Sequence, residues 1–93
     1  MNKIKLNKLR KRLDSVDIKL LKLIKQRTEI VKKVLKLKKY KNQIVDKKRI
    51  SLILKNIRVN SIKKNIDPKI TKKIWRAMIY SYIDFEKRIF KKK

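Results

Sequence analysis

Four charged residues stand where an amphipathic helix should be apolar. Arg27 lies three positions after Ile24 and four after Leu23, and four before Val31. Lys38 is four after Val34, on the same line. Arg49 is four before Ile53 and opens a second apolar face. Glu86 is three after Ile83 and four after Tyr82, and only one other glutamate, Glu29, occurs in the chain. Charges belong outside an apolar stripe, so three cations and one acid directed inward leave two readings open. The first is a structural ion pair, Arg27 with Glu86 for instance, with the remaining long basic side chains reaching water from the stripe edge. The second is a pocket completed by an anionic ligand. One acid cannot neutralise three cations, and unpaired buried charge is very costly. Arg10 borders the first stripe, four after Leu6 and three before Leu13. It is roughly 25 Å from Arg27 along one helix. Both reach one small ligand only if Arg10 comes from a second chain.

Composition narrows the chemistry further. The chain has 93 residues, 32 Lys or Arg against seven Asp or Glu, and a net charge of +25. It holds no Gly, Cys or His and one Pro. Without Cys and His there is no structural zinc site, no thiol nucleophile and no Ser-His-Asp triad. Without Gly there is no phosphate-cradling loop, and the tight hairpins of an all-β fold are disfavoured. Neither a metal nor a cofactor is expected. Such basicity raises nucleic acid as a partner. The lysines, however, run evenly from Lys3 to Lys93 and form no single stripe. They read as a solvated coat whose nucleic-acid binding is at most non-specific and would collapse with salt. The lack of Cys fits a reducing, cytoplasmic setting. No run of about 18 apolar residues reads as a signal or a membrane span.

The elements that must position these residues are helices. Residues 4 to 39 contain no Gly or Pro, and apolar residues from Leu6 to Leu37 recur at spacings of three and four. This predicts one helix of about 36 residues, roughly 54 Å long. Its stripe is longer than one chain of this size can cover, so a partner chain is inferred. Tyr40 to Val45 breaks the pattern. Asp46 caps a second helix to about Lys64, with Ile50, Ile53, Leu54, Ile57 and Ile62 on its face. Asp67 and Pro68 open a third helix that runs to about Phe90, with Pro at the first helical position. Trp75, Met78, Tyr82 and Phe90 read as core or dimer contacts. The expectation is an all-α fold of three helices per chain, one long and two shorter, in an intertwined homodimer. One domain covers 1–93, with a fraying basic tail at 91–93.

Together these segments resemble the all-helical chorismate mutases. The opening Leu9-Arg10-Lys11-Arg12-Leu13-Asp14-Ser15-Val16-Asp17, then Leu20-Leu21 and Gln26-Arg27, is similar to the family's first-helix signature. Val34-Leu35-Lys36-Leu37-Lys38 is similar to its Val-Gly-x-x-Lys run, and Asp46-Lys47-Lys48-Arg49 to the Asp-x-x-Arg opening of helix two. Asp67-Pro68 and Ile74-Trp75-Arg76-Ala77-Met78-Ile79 resemble the start and body of helix three. The likeness covers about residues 6 to 90. It implies the Claisen rearrangement of chorismate to prephenate, on the route to phenylalanine and tyrosine. A pericyclic step needs no nucleophile, metal or cofactor. It needs a compact substrate conformer and donors where the ether oxygen gains charge. A dianionic substrate would account for the surplus interior cations.

The resemblance also implies roles. Arg10 matches the arginine that crosses the dimer to a substrate carboxylate, and Arg27 the in-chain carboxylate arginine. Lys38 matches the lysine at a carboxylate and the ether oxygen, and Arg49 the helix-two arginine beside the site. Asp46 matches the residue shaping the ring-hydroxyl end, and Val34 opens the run before the lysine as a substrate-binding position. Glu86 matches a position where Gln or Glu bonds the ether oxygen. A carboxyl must be protonated to donate there. Burial raises its proton affinity and nearby cations lower it. The chain departs from the family pattern at Ile50, where a Glu commonly binds the ring hydroxyl, at Tyr82, where a Ser is common, and at Leu35, in place of Gly. An aliphatic residue at Ile50 also resembles the isochorismate pyruvate-lyase branch of the same fold, which gives salicylate and pyruvate. The mutase is the favoured expectation and the lyase its alternative. A basic dimer that coats nucleic acid is a third.

Overall fold

The computed structural model of the protein describes residues 2–91. The fold is all-α. Helix α1 spans Lys3–Lys36, α2 Lys47–Lys63 and α3 Pro68–Ile89, with a 3₁₀ turn at Lys41–Gln43. The chain divides into two compact units, one up to Lys32 and one from Lys33 onward.

The first unit is the N-terminal part of α1. No Gly or Pro interrupts it, and the Asn2 side chain accepts from the Lys5 N–H at 3.1 Å, satisfying one of the donors a helix start leaves orphaned. Leu9, Leu13, Val16, Leu20, Leu23 and Ile30 are 50–62% exposed in the single chain. The long apolar stripe is present and uncovered.

The second unit begins with the last turn of α1. This helix ends three residues earlier than the hydrophobic spacing suggests. The N–H groups of Leu37 and Lys38 turn back to the carbonyls of Val34 and Leu35, at 3.0 Å each, an i−3 pattern that tightens and closes the helix. Lys38 therefore sits in the turn after α1, not on its stripe. Leu35 is the last buried residue of α1, and Leu37 is 82% exposed. Beyond Leu35, no further turn would gain buried apolar surface.

Local chemistry sets the remaining boundaries. Asp46 Oδ1 accepts from the Arg49 N–H at 3.0 Å and caps α2. Asp67 Oδ1 accepts from the Lys69 N–H at 2.9 Å, and Pro68 opens α3. Both caps are where the sequence placed them. Between the helices, Asn65 adopts φ 58°, the left-handed region that Asn tolerates better than most residues. The Ile66 N–H reaches the Ser61 carbonyl at 2.9 Å and the Asn65 N–H the Ile62 carbonyl at 3.2 Å. This pair of bonds closes the C-terminus of α2.

The hairpin of α2 and α3 is fastened by two buried hydroxyls. Ser61 Oγ and Thr71 Oγ1 lie 2.7 Å apart. Ser61 gives its one proton to the Ile57 carbonyl at 2.6 Å, so Thr71 is the donor between them. The core of this unit is Leu35, Ile44, Ile79 and Ile83, with Ile50, Ile53, Leu54 and Phe90 packed against it. Trp75, Met78 and Tyr82 are part-buried. Ile62, Ile70 and Ile74 are exposed in the single chain. Of the basic tail, Lys91 is exposed, and Lys92 and Lys93 lie outside the described residues.

Candidate active site

Ile79, Ile83 and Glu86 follow each other at four and three residues along α3, and all three are buried. The helical repeat thus places a carboxyl group on the core face. Glu86 is 7% exposed, and it is the one charged residue in the buried class among the described residues. Lys38 Nζ stands 3.7 Å from Glu86 Oε1, with 21% of the Lys38 side chain exposed. The separation is an ion-pair distance, longer than a direct hydrogen bond.

Lys38 is carried by a turn held at both ends by the core. Leu35 precedes it and Ile44 follows it, at 6% and 3% exposure. Within the turn, Gln43 Oε1 accepts from the Lys39 N–H at 2.8 Å and from the Tyr40 N–H at 2.9 Å. No spacing or residue type in the sequence marks Gln43 as functional. Its signal there is only that of a polar loop residue.

The other expected site residues fall in both units. Asp46, Arg49, Ile50, Tyr82 and Val34 share the second unit with Lys38 and Glu86. The Asp46 carboxylate is engaged as a helix cap. Arg49, expected to face inward, is exposed. The phase of α2 explains the difference. Ile50, Ile53 and Leu54 take the core-facing positions, and Arg49 lies one residue, about 100°, off that face. Ile50 is part-buried against the core, so its position is apolar in its packing as well as its type. Tyr82 is part-buried on α3, and Val34 is 45% exposed near the end of α1. Arg10 and Arg27 belong to the first unit, where Arg10 is exposed and Arg27 part-buried. Lys38 and Glu86 are joined by an ion pair.

An ammonium and a carboxyl side by side at a core edge can do two things. The ammonium can hold an anion or an oxygen that gains charge. The carboxyl, when protonated, can offer a second donor to that oxygen. A cavity of about 300 Å³ also opens between α2 and α3, lined by Leu54, Lys55, Ile57, Arg58, Pro68 and Lys72. No expected site residue lines it. Among the described residues no cluster of His, Cys, Asp or Glu is arranged to hold a metal ion. No helix there is long and apolar enough to cross a membrane.

A family model of type II chorismate mutase matches residues 9–87. The chain belongs to the type II chorismate mutase family. The match takes in every residue assigned a role above, from Arg10 to Glu86. No curated protein and no solved structure matches the chain.

Proposed function

We propose that the protein is a chorismate mutase that rearranges chorismate to prephenate for phenylalanine and tyrosine synthesis, acting as an intertwined homodimer. Family membership supports the activity. The observation that carries the reading to specific residues is Lys38 Nζ at 3.7 Å from the buried Glu86. In the reaction the ether C–O bond breaks as a C–C bond forms, and negative charge grows on the ether oxygen. Lys38 and protonated Glu86 are donors to that oxygen. Arg27 and the partner subunit's Arg10 hold the two carboxylates and so select the compact conformer. Arg49 adds positive potential beside the site, and Asp46 and Val34 shape its walls. The dimer is supported by the exposed apolar stripe of α1 and by the small core of the second unit. Four buried apolar residues among the described ones are few for a chain of this length.

Ile50 favours a second reading. Its aliphatic side chain packs on the core and offers no hydrogen bond to a ring hydroxyl, which suits isochorismate pyruvate-lyase chemistry on the same fold. Product identification separates the two. The protein is incubated with chorismate and with isochorismate, and products are read by NMR beside an Arg27→Ala control. Prephenate from chorismate, lost in the control, is the expected result. Salicylate and pyruvate from isochorismate, with little prephenate, would assign the lyase. Turnover of neither would leave only the fold in common with the family.

A further inference from the structure

We propose that Gln43 is the positioning residue for Lys38. Its carboxamide oxygen clamps the backbone that follows Lys38 and so fixes where the ammonium stands. The kinetic part of this proposal rests on the mutase reading, while the clamp itself does not.

The turn has few other means of holding its shape. From Lys38 to Val45 it contains no Gly or Pro that would restrict it to a turn type. Lys39, Tyr40, Lys41 and Asn42 are exposed and give no packing constraint. Lys38 leaves the α1 ladder with its own N–H bonded to the Leu35 carbonyl at 3.0 Å. The next two N–H groups have passed the end of the helix, and both converge on Gln43 Oε1 at 2.8 and 2.9 Å. The Gln43 N–H in turn donates to the Tyr40 carbonyl at 3.0 Å, and the Ile44 N–H to that of Lys41 at 3.1 Å. The bonds form a closed brace. It ties the residue after Lys38 to the residue before Ile44, which is 3% exposed in the core. An oxygen with two lone pairs can accept both donors. Lysine, the commonest residue of this turn, has no acceptor in its side chain.

Without the Gln43 side chain, the backbone after Lys38 keeps only the bonds of the Gln43 and Ile44 N–H groups, and the ammonium its contact with Glu86. A cation on a looser turn samples more positions around Glu86, and loss of alignment lowers the rate of a step that depends on placed charge. Gln43 is itself exposed, so removing its side chain opens no cavity.

Three forms of the full chain test the proposal: wild type, Gln43→Ala and Gln43→Glu. Glutamate keeps an acceptor oxygen at the same reach and is the rescue variant. Two NMR readouts are independent of catalysis. Amide exchange at Lys39 and Tyr40 is expected to quicken about tenfold or more in Gln43→Ala and to stay near wild type in Gln43→Glu. The NOE between the Lys38 ε-methylene and the Glu86 γ-methylene is expected in wild type and Gln43→Glu and lost in Gln43→Ala. With chorismate, Gln43→Ala is expected to lower kcat about tenfold with KM little changed, and Gln43→Glu to restore it. Unchanged exchange in Gln43→Ala overturns the clamp. A retained NOE, or wild-type kcat despite fast exchange, overturns the positioning role. Failure of Gln43→Glu to rescue either readout also overturns it. If wild type turns over no chorismate, the mutase reading fails alone, and exchange and the NOE still decide the clamp and its hold on Lys38.

Discussion

Lys38 Nζ lies 3.7 Å from Glu86 Oε1 and joins the turn after α1 to the buried face of α3. Before substrate binds, the carboxylate gives the ammonium a partner and keeps it pointed at the core edge. In the proposed rearrangement the same two groups would act as donors. The carboxyl would then serve both purposes by changing its protonation state, charged to hold Lys38 and neutral to bond the ether oxygen.

A pH dependence follows. In the proposed mechanism the donor is the acid form of Glu86, so activity is expected to fall as pH rises and that form is depleted. Glu86→Gln carries its donor at every pH and should give a flat profile that overtakes wild type on the basic side. The check is kcat/KM for both proteins from acid to mildly basic pH. A wild-type rate that does not change across that range would remove Glu86 from the donor role.

The hydroxyl pair of Ser61 and Thr71 predicts an asymmetry in stability. Ser61→Ala removes the 2.7 Å partner of the Thr71 hydroxyl and leaves it only the longer 3.4 Å bond to the Pro68 carbonyl, and should destabilise by about 1–3 kcal/mol. Thr71→Val alone should be milder, because Ser61 keeps its bond to the Ile57 carbonyl. The double variant should recover part of the loss, since no buried hydroxyl is then left with a weakened partner. Urea denaturation of the four proteins measures this. Strict additivity would mean that the two hydroxyls do not act as a pair.

These two sites differ in how far the sequence disclosed them. Glu86 was legible because helical phase is local, and its spacing from Ile83 and Tyr82 fixes its face. The caps at Asp46 and Asp67 were legible for the same reason, since each bonds a backbone N–H two or three residues on. The end of α1 was not. The apolar spacing runs on through Leu37, but burial stops at Leu35, and only tertiary packing reveals that. Arg49 precedes Ile53 by four residues, a spacing that reads as inward, but the packing of Ile50, Ile53 and Leu54 centres the buried face about 100° away from it. Ser61 with Thr71, and Gln43 with the turn, escaped notice because their partners are set by loop geometry, which no periodicity encodes.

Asp46 separates a structural role from a chemical one. Its carboxylate caps α2 through the Arg49 N–H, and it is also proposed to shape the ring-hydroxyl end of the site. Asparagine caps as well as aspartate, whereas alanine costs about 1 kcal/mol. Asp46→Asn should therefore keep wild-type thermal stability, and Asp46→Ala should lose it. If the carboxylate also faces the substrate, Asp46→Asn raises KM for chorismate although the fold is unaffected. Wild-type kinetics in Asp46→Asn would leave the residue a cap alone.

The proposed dimer makes the origin of Arg10 testable by complementation. Arg10→Ala and Arg27→Ala should each abolish most activity, because each removes one carboxylate partner from every site. Mixed and refolded together, the two chains form hybrid dimers. If each site combines Arg27 of one chain with Arg10 of the other, a hybrid has one intact site and one that lacks both arginines. Random pairing makes half the dimers hybrids, so activity should return to about one quarter of wild type. If both arginines serve the site from the same chain, every site in the mixture lacks one of them and no activity returns. A further variant, Leu20→Glu, places a charge on the exposed stripe of α1. It should yield monomers by sedimentation, and carried on both chains it should prevent the recovery.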